Sequence, residues 1–259
     1  MLPTVMAIAG FDPSGGAGIA ADLKTIAALR CYGVGVVTAV TVQDTKAVRS
    51  VHPLPPDLVA RQAEVVAADV EVRAVKVGML ATAALVERVA LLAEAGLLPN
   101  LVLDPVLRSH AGDELLERDG IETLCLRLLP RATVLTPNLD EASRLCGRAV
   151  RDVAGMKEAA RELHRLGARQ VVIKGGHLPG RPVDVVFNGE EFALFDSTRL
   201  PSAAAHGLGC TFSAAVACGI ARGFPLFQAV ADAKRYVSRA LAGALRLGKG
   251  SAVLDHGAA

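Results

Sequence analysis

The stretch with the clearest chemical potential is His206-Gly207-Leu208-Gly209-Cys210-Thr211, followed by the small-residue run from Phe212 to Ile220. Glycines at the mouth of a helix let a ligand approach the backbone, and the unpaired N–H groups there attract anions. Cys210 at the positive end of that helix is expected to favour the thiolate, with a pKa below the usual value of about 8.5. The turn therefore reads as an anion cradle with a base beside it. A plain Gly-rich turn opening a buried helix, with cysteine as a small hydrophobe, is the competing reading. Further polar and glycine residues follow short apolar runs: Asp12, Gln43, Gly78, Asp104, Asn138 and Lys174. Each is ordinary alone. Together, carboxylates at Asp104 and Glu141 could hold Mg²⁺ directly or through waters, and Lys174 offers a point charge to a phosphate. That set suits phosphoryl transfer, which depends on positioning and charge neutralisation. The chain has no Gly-x-x-x-x-Gly-Lys-Ser/Thr loop, which excludes the usual NTPase scaffold.

These residues need a scaffold that brings strand ends together. Apolar runs at 5–9, 35–42, 74–78, 101–103, 132–135 and 171–173 read as strands, with a short edge strand at 51–53. Helical spacing predicts helices at 19–31, 56–70, 85–95, 121–129, 140–145, 156–166 and 225–247. In the last of these, Phe227, Val230, Val237, Leu241 and Ala244 fall on one packing face. Asn188-Gly189 between alternating runs at 183–187 and 191–195 predicts an antiparallel hairpin near the sheet edge. Strands alternating with helices imply an α/β fold, a mostly parallel sheet with helices on both faces, binding ligands beyond the strands' carboxyl ends. We read residues 1–259 as one domain, without repeat or linker. Gly16-x-Gly18-x-x-Ala21 meets the relaxed dinucleotide fingerprint, but the next strand ends in Gln43 rather than in an acid, so the match is weak. Net charge is +2 with no basic run, and there is no Trp, which argues against nucleic-acid or membrane binding. Five scattered cysteines fit free thiols in a reducing cytoplasm, and no leader or membrane span is expected.

Ala9-Gly10-Phe11-Asp12-Pro13-Ser14-Gly15-Gly16-Ala17-Gly18, Ala21-Asp22-Leu23-Lys24-Thr25, Val42-Gln43, Lys76-Val77-Gly78-Met79-Leu80 and Val102-Leu103-Asp104-Pro105-Val106 run in order along the chain. Thr136-Pro137-Asn138, Glu141-Ala142, Lys174-Gly175-Gly176-His177 and the Gly-x-Gly-Cys turn complete the series. In these pieces the chain resembles the hydroxymethylpyrimidine/phosphomethylpyrimidine kinases of thiamine biosynthesis, within the ribokinase-like superfamily. The resemblance implies a three-layer ribokinase-like fold and use of ATP and Mg²⁺. It also implies phosphorylation of 4-amino-5-hydroxymethyl-2-methylpyrimidine and then of its monophosphate. By position, Gln43 would read the pyrimidine edge, with Asp22, Ala17, Met79 and Val106 around it. Asp104 and Glu141 would serve metal and phosphates, and Asn138 and Lys174 the nucleotide phosphates. Cys210, between Gly207 and Gly209 and the helix, stands where related enzymes carry the activating Asp, as base or as positioning group. The superfamily commonly forms homodimers. Departures from the family pattern are Leu208 for a Thr, Ala204-Ala205 before His206, Ala20 for a Gln and Asp44 for an Asn. Leu208 removes a hydroxyl near the phosphates. Pyridoxal kinase is the alternative enzyme, and a pyrimidine-binding protein that has lost turnover is the non-enzymatic one.

Overall fold

The computed structural model describes residues 2–109, 112–199 and 205–258. Ala204 lies outside them. The chain runs β1 (Thr4–Phe11), α1 (Gly18–Ala28), β2 (Tyr32–Gln43), β3 (Val48–Pro53), α2 (Pro56–Asp69), β4 (Val72–Val77), α3 (Ala83–Glu94) and β5 (Leu101–Leu103). It continues through α4 (Arg118–Thr123), β6 (Val134–Leu135), α5 (Leu139–Leu145), α6 (Val153–Arg165), β7 (Val171–Ile173), β8 (Val183–Phe187), β9 (Phe192–Asp196), α7 (Leu208–Ala221) and α8 (Leu226–Ala242). Among the described residues all strands join one 9-stranded sheet in the order β3-β2-β1-β4-β5-β6-β7-β8-β9. The pairs from β2 to β7 are parallel. β3 closes one edge antiparallel to β2, and the β8–β9 hairpin closes the other.

Strand alternation divides the core into two layers. Met6 and Ile8 face one side with Val75, Val77, Leu101 and Leu103, under α2 to α6. Val5, Ala7 and Ala9 face the other with Ala74, Val102, Val134 and Val172, under α1, α7 and α8. This second face is nearly all Ala and Val, so α7 can lie close to the sheet. α7 is apolar all round because it is covered all round: from Thr211 to Gly219 every residue is buried. Gly219 lets α8 approach it, since a Cβ there would stand 2.7 Å from Cβ of Ala229.

Two expected helices differ. The helix expected at 121–129 starts earlier, as α4, and loosens into a π turn at Leu124–Leu128 and a 3₁₀ turn at Leu129–Arg131. Pro130 lacks the N–H that would continue the ladder, and Leu129 N–H reaches back to Leu124 O. The helix expected at 225–247 ends at Ala242, because the C-terminal segment folds back on it: Asp255 N donates to Ala240 O, and Leu245 pairs with Val253. Its buried stripe is Leu226, Ala229, Val230, Ala233, Tyr236 and Ala240. Of the expected face, Val230 is buried, Phe227, Val237 and Leu241 are half-buried, and Ala244 lies beyond the helix.

Candidate active site

The parallel strands deliver their following residues to one rim. Asp12 follows β1, Gln43 ends β2, Gly78-Met79 follows β4, Asp104 follows β5, Asn138 lies just beyond β6 and Lys174 follows β7. The α7 N-terminus faces the same rim. Its N-cap, Gly207, has φ +87°, and a Cβ there would stand 1.8 Å from Gly16 O. Only glycine fits this close approach, which locks the Gly15-Gly16 loop to the α7 turn. Thr211 N bonds to Gly207 O, so the N–H groups of Leu208, Gly209 and Cys210 belong to the open first turn.

On one side of this turn lies a charged group. Lys174 Nζ donates to Asp104 Oδ1 at 2.6 Å and stands 3.9 Å from Glu141 Oε2. Ser213, from the second turn of α7, donates to Asp104 Oδ2 at 3.2 Å. Gly209 closes the group, since a Cβ there would stand 3.3 Å from Lys174 Nζ. Glu141 is held by a capping box: its carboxylate accepts from Asn138 N at 2.7 Å, and Asn138 Oδ1 accepts from Glu141 N at 2.9 Å. Asn138 thus spends its oxygen on α5, and its amide NH₂ is what it can offer a phosphate. Burial pushes the Glu141 carboxyl up to about 7, although Lys174 opposes the shift. Burial acts on Asp104 in the same direction, but Lys174 and Lys76 outweigh it and hold that carboxyl below its usual range.

On the other side lies an apolar wall with one polar corner. Met79 joins Ala39 and Ala81 in a small cluster against which Val106 packs. Gln43 lies beside His206, with Gln43 Nε2 and His206 Nε2 2.9 Å apart, and His206 Nε2 also stands 2.9 Å from Asp12 Oδ2. Asp12 organises the glycine loop by accepting from Ser14 N, Ser14 Oγ and Ala17 N at 2.8–2.9 Å. Ala17 is the N-cap of α1.

Asp22 is not on this wall. It is fully buried one layer below, with both oxygens accepting from Lys76 Nζ at 2.9 and 2.8 Å. Lys76 is also fully buried, and the residue types alone gave it no role. Its one local signal is a charge within the apolar run 74–78. Burial pushes Asp22 up to about 6 against the pull of Lys76. Burial opposes the Lys76 charge, yet Asp22 and its anionic neighbours hold its pKa above the ordinary value, so the pair is ionised at neutral pH. The expected thiolate does not form in this environment. Burial pushes the Cys210 thiol up to about 11, and neither Lys76 nor a hydrogen bond from the Gly18 backbone N–H offsets it. Desolvation outweighs the helix end. Leu208 packs its side chain on Ala205, Ala240 and Leu254.

Among the described residues no group of three or more His, Cys, Asp or Glu side chains is arranged to hold a metal by itself. Asp104 and Glu141 are hard oxygen donors beside a lysine, and both Asp104 oxygens already accept protein hydrogen bonds. This fits Mg²⁺, which keeps waters and takes ligands from phosphates, and does not fit a metal needing a protein cage. Among the described residues no helix is long and apolar enough to cross a membrane.

Known proteins resemble this chain over nearly its whole length. The chain is 44% identical over 254 residues to the thiamine biosynthesis bifunctional protein of Geobacter sulfurreducens, covering 98% of this chain and 52% of that longer one. It is 46% identical to the hydroxymethylpyrimidine/phosphomethylpyrimidine kinase of Streptomyces coelicolor, covering 98% of this chain and 94% of that protein. The ADP complex of Bacillus subtilis pyridoxal kinase superposes with a TM-score of 0.92 at 35% identity, covering 100% of this chain and 98% of that one. Residues 12–255 match the family described as phosphomethylpyrimidine kinase. The chain belongs to that family and has its ribokinase-like fold.

Proposed function

We propose that this protein transfers phosphate from ATP to the hydroxymethyl group of 4-amino-5-hydroxymethyl-2-methylpyrimidine, and again to the resulting monophosphate, in thiamine biosynthesis. One observation carries the reading: an apolar wall with a polar corner (Met79, Val106, Gln43) and a phosphate-handling group (Lys174, Asp104, Glu141) flank the same α7 turn. A hydroxymethyl group on a ring seated at the wall would then point at the turn. The backbone N–H groups at Leu208–Cys210 and the Lys174 ammonium would neutralise charge on the moving phosphoryl group, the main task in such a transfer. Asp104 and Glu141 would hold Mg²⁺, largely through waters and phosphates, and the ion would add to that neutralisation when bound. With its thiol pushed up to about 11, Cys210 acts as a positioning group for the substrate hydroxyl rather than as its base. A loose transition state asks little of a base.

Pyridoxal kinase is the second reading, favoured by the close structural match to a pyridoxal kinase. Gln43 argues for the pyrimidine, because an amide offers a donor and an acceptor side by side to an aminopyrimidine edge. The test is an ATP/Mg²⁺ assay with the hydroxymethylpyrimidine, following mono- and diphosphate by mass spectrometry, with pyridoxal in parallel. Diphosphate is the expected product. Pyridoxal phosphate alone would transfer the protein to the second reading, and binding without either product would mark a site that has lost turnover.

A further inference from the structure

The hydrogen bonds around Gln43 cannot all be made until one proton is placed. Asp12 is an acceptor only: burial works against its charge, but hydrogen bonds from His206 and Ser14 outweigh it and hold the carboxyl below its usual range. Its 2.9 Å contact with His206 therefore requires a proton on Nε2. That same nitrogen stands 2.9 Å from Gln43 Nε2, and a protonated Nε2 cannot accept from an amide N–H. The opposite end of the amide has a matching conflict. Thr41 Oγ1 lies 3.0 Å from Phe11 O and 3.2 Å from Gln43 Oε1, with one proton for two acceptors. A half-turn of the Gln43 amide removes the N–H/N–H clash and the shortage at Thr41, and leaves the His206 Nε2–H shared in a three-centre bond between Asp12 Oδ2 and Gln43 Oε1. Oε1 then accepts from His206 Nε2–H, and the NH₂ group donates to Thr41 Oγ1, which donates to Phe11 O. Amide N and O have nearly the same shape, and the surrounding network decides between them.

We infer that His206, with Nε2 protonated at the demand of Asp12, is a specificity-determining positioning residue that sets which way round the Gln43 amide sits. The inference rests on the aminopyrimidine reading above. A 4-aminopyrimidine presents a ring-nitrogen acceptor beside an amino donor. An amide matches that edge in one order, and the reversed amide sets N–H against N–H and oxygen against a lone pair. Locking the amide therefore locks selection for the 4-amino group, because a mismatched ligand leaves buried polar groups unpaired. The imidazole is well fixed for this task. His206 N donates to Ala252 O at 2.8 Å, and a Cβ on Gly16 would stand 2.7 Å from the ring Cδ2.

The test measures kcat/KM with ATP for the 4-aminopyrimidine and for its 4-deamino analogue, and takes their ratio. Loss of one such hydrogen-bonded constraint corresponds to about tenfold in the ratio. His206→Met should lower the ratio by about tenfold. His206→Gln, whose amide can supply an N–H near the Nε2 position, should hold it within about threefold. Gly16→Ala, whose Cβ would stand 2.7 Å from the imidazole Cδ2 and displace the ring, should lower the ratio as Met does, and it serves if His206→Met does not fold. An unchanged ratio in both disruptive variants, or equal losses on both substrates, would overturn the inference and leave the kinase reading intact. A wild-type protein that phosphorylates neither pyrimidine would overturn both.

Discussion

Replacing Lys76 with Met tests whether the buried ion pair is what the site stands on. Lys76 and Asp22 are both fully buried, with Nζ bonded to both carboxylate oxygens at 2.9 and 2.8 Å. Removing one partner of such a pair leaves an uncompensated charge and typically costs about 3–5 kcal/mol. Asp22 can escape by taking up a proton, and its carboxyl already sits at about 6 in the folded protein. We therefore expect about 3 kcal/mol at pH 7, the low end of that range. The sign of the pH dependence follows from the raised carboxyl. Its folded pKa exceeds the unfolded 3.8, so its stabilising contribution is full below 3.8 and declines as pH rises through about 6. In Lys76→Met the folded pKa is higher still, so the decline continues above 6 and the gap from wild type widens with pH. Between pH 7 and pH 5 the cost of the substitution should shrink by about 1.4 kcal/mol. Urea unfolding at both pH values reads this, as a midpoint lowered by about 1 M at pH 7. The double variant Asp22→Leu/Lys76→Met removes both charges and should recover most of the loss. A cost below about 1 kcal/mol at pH 7, or the same cost at both pH values, would refute the reasoning.

Three further outcomes are expected. Iodoacetamide alkylation of Cys210 in the ligand-free protein should rise tenfold per pH unit from about 7 to 9 without a plateau, because the thiol stays protonated. A plateau in that window would restore a thiolate base. His256 is buried where burial pushes its pKa down to about 4, with Lys24 adding to the shift and Asp255 opposing it. The depressed value means its contribution is present above 6.5 and is lost as pH falls through about 4, by up to about 3 kcal/mol. In His256→Gln, unfolding measured from pH 7 to 4 should be flatter by that amount, and parallel curves would count against the assignment. Leu208→Thr should raise turnover by restoring a hydroxyl near the phosphates, at a cost of about 1 kcal/mol in lost packing on Ala240 and Leu254. Unchanged turnover would show that the backbone N–H groups suffice.

What the residue order determined by itself is the rim. Short apolar runs that stop at Asp12, Gln43, Gly78, Asp104, Asn138 and Lys174 read as parallel strands, because strands covered on both faces need unbroken apolar sequence. Once parallel, they must present those residues at one end. The Asn138/Glu141 cap and the Gly207 turn are local too, being set by spacing and backbone freedom. What only the tertiary structure decided depends on contacts between distant residues and on burial. Lys76 meets Asp22 across 54 positions, and His206 meets Gln43 and Asp12 across 163 and 194. Those pairings move Asp22 from the pocket wall to its foundation and make His206 a neighbour of the base-reading amide. Cys210 shows the same division. Its place at a helix start is legible from Gly-Leu-Gly-Cys, whereas its protonation state is set by desolvation at a half-buried site beside Asp22 and Asp104, which exceeds the pull of Lys76 and of the helix end.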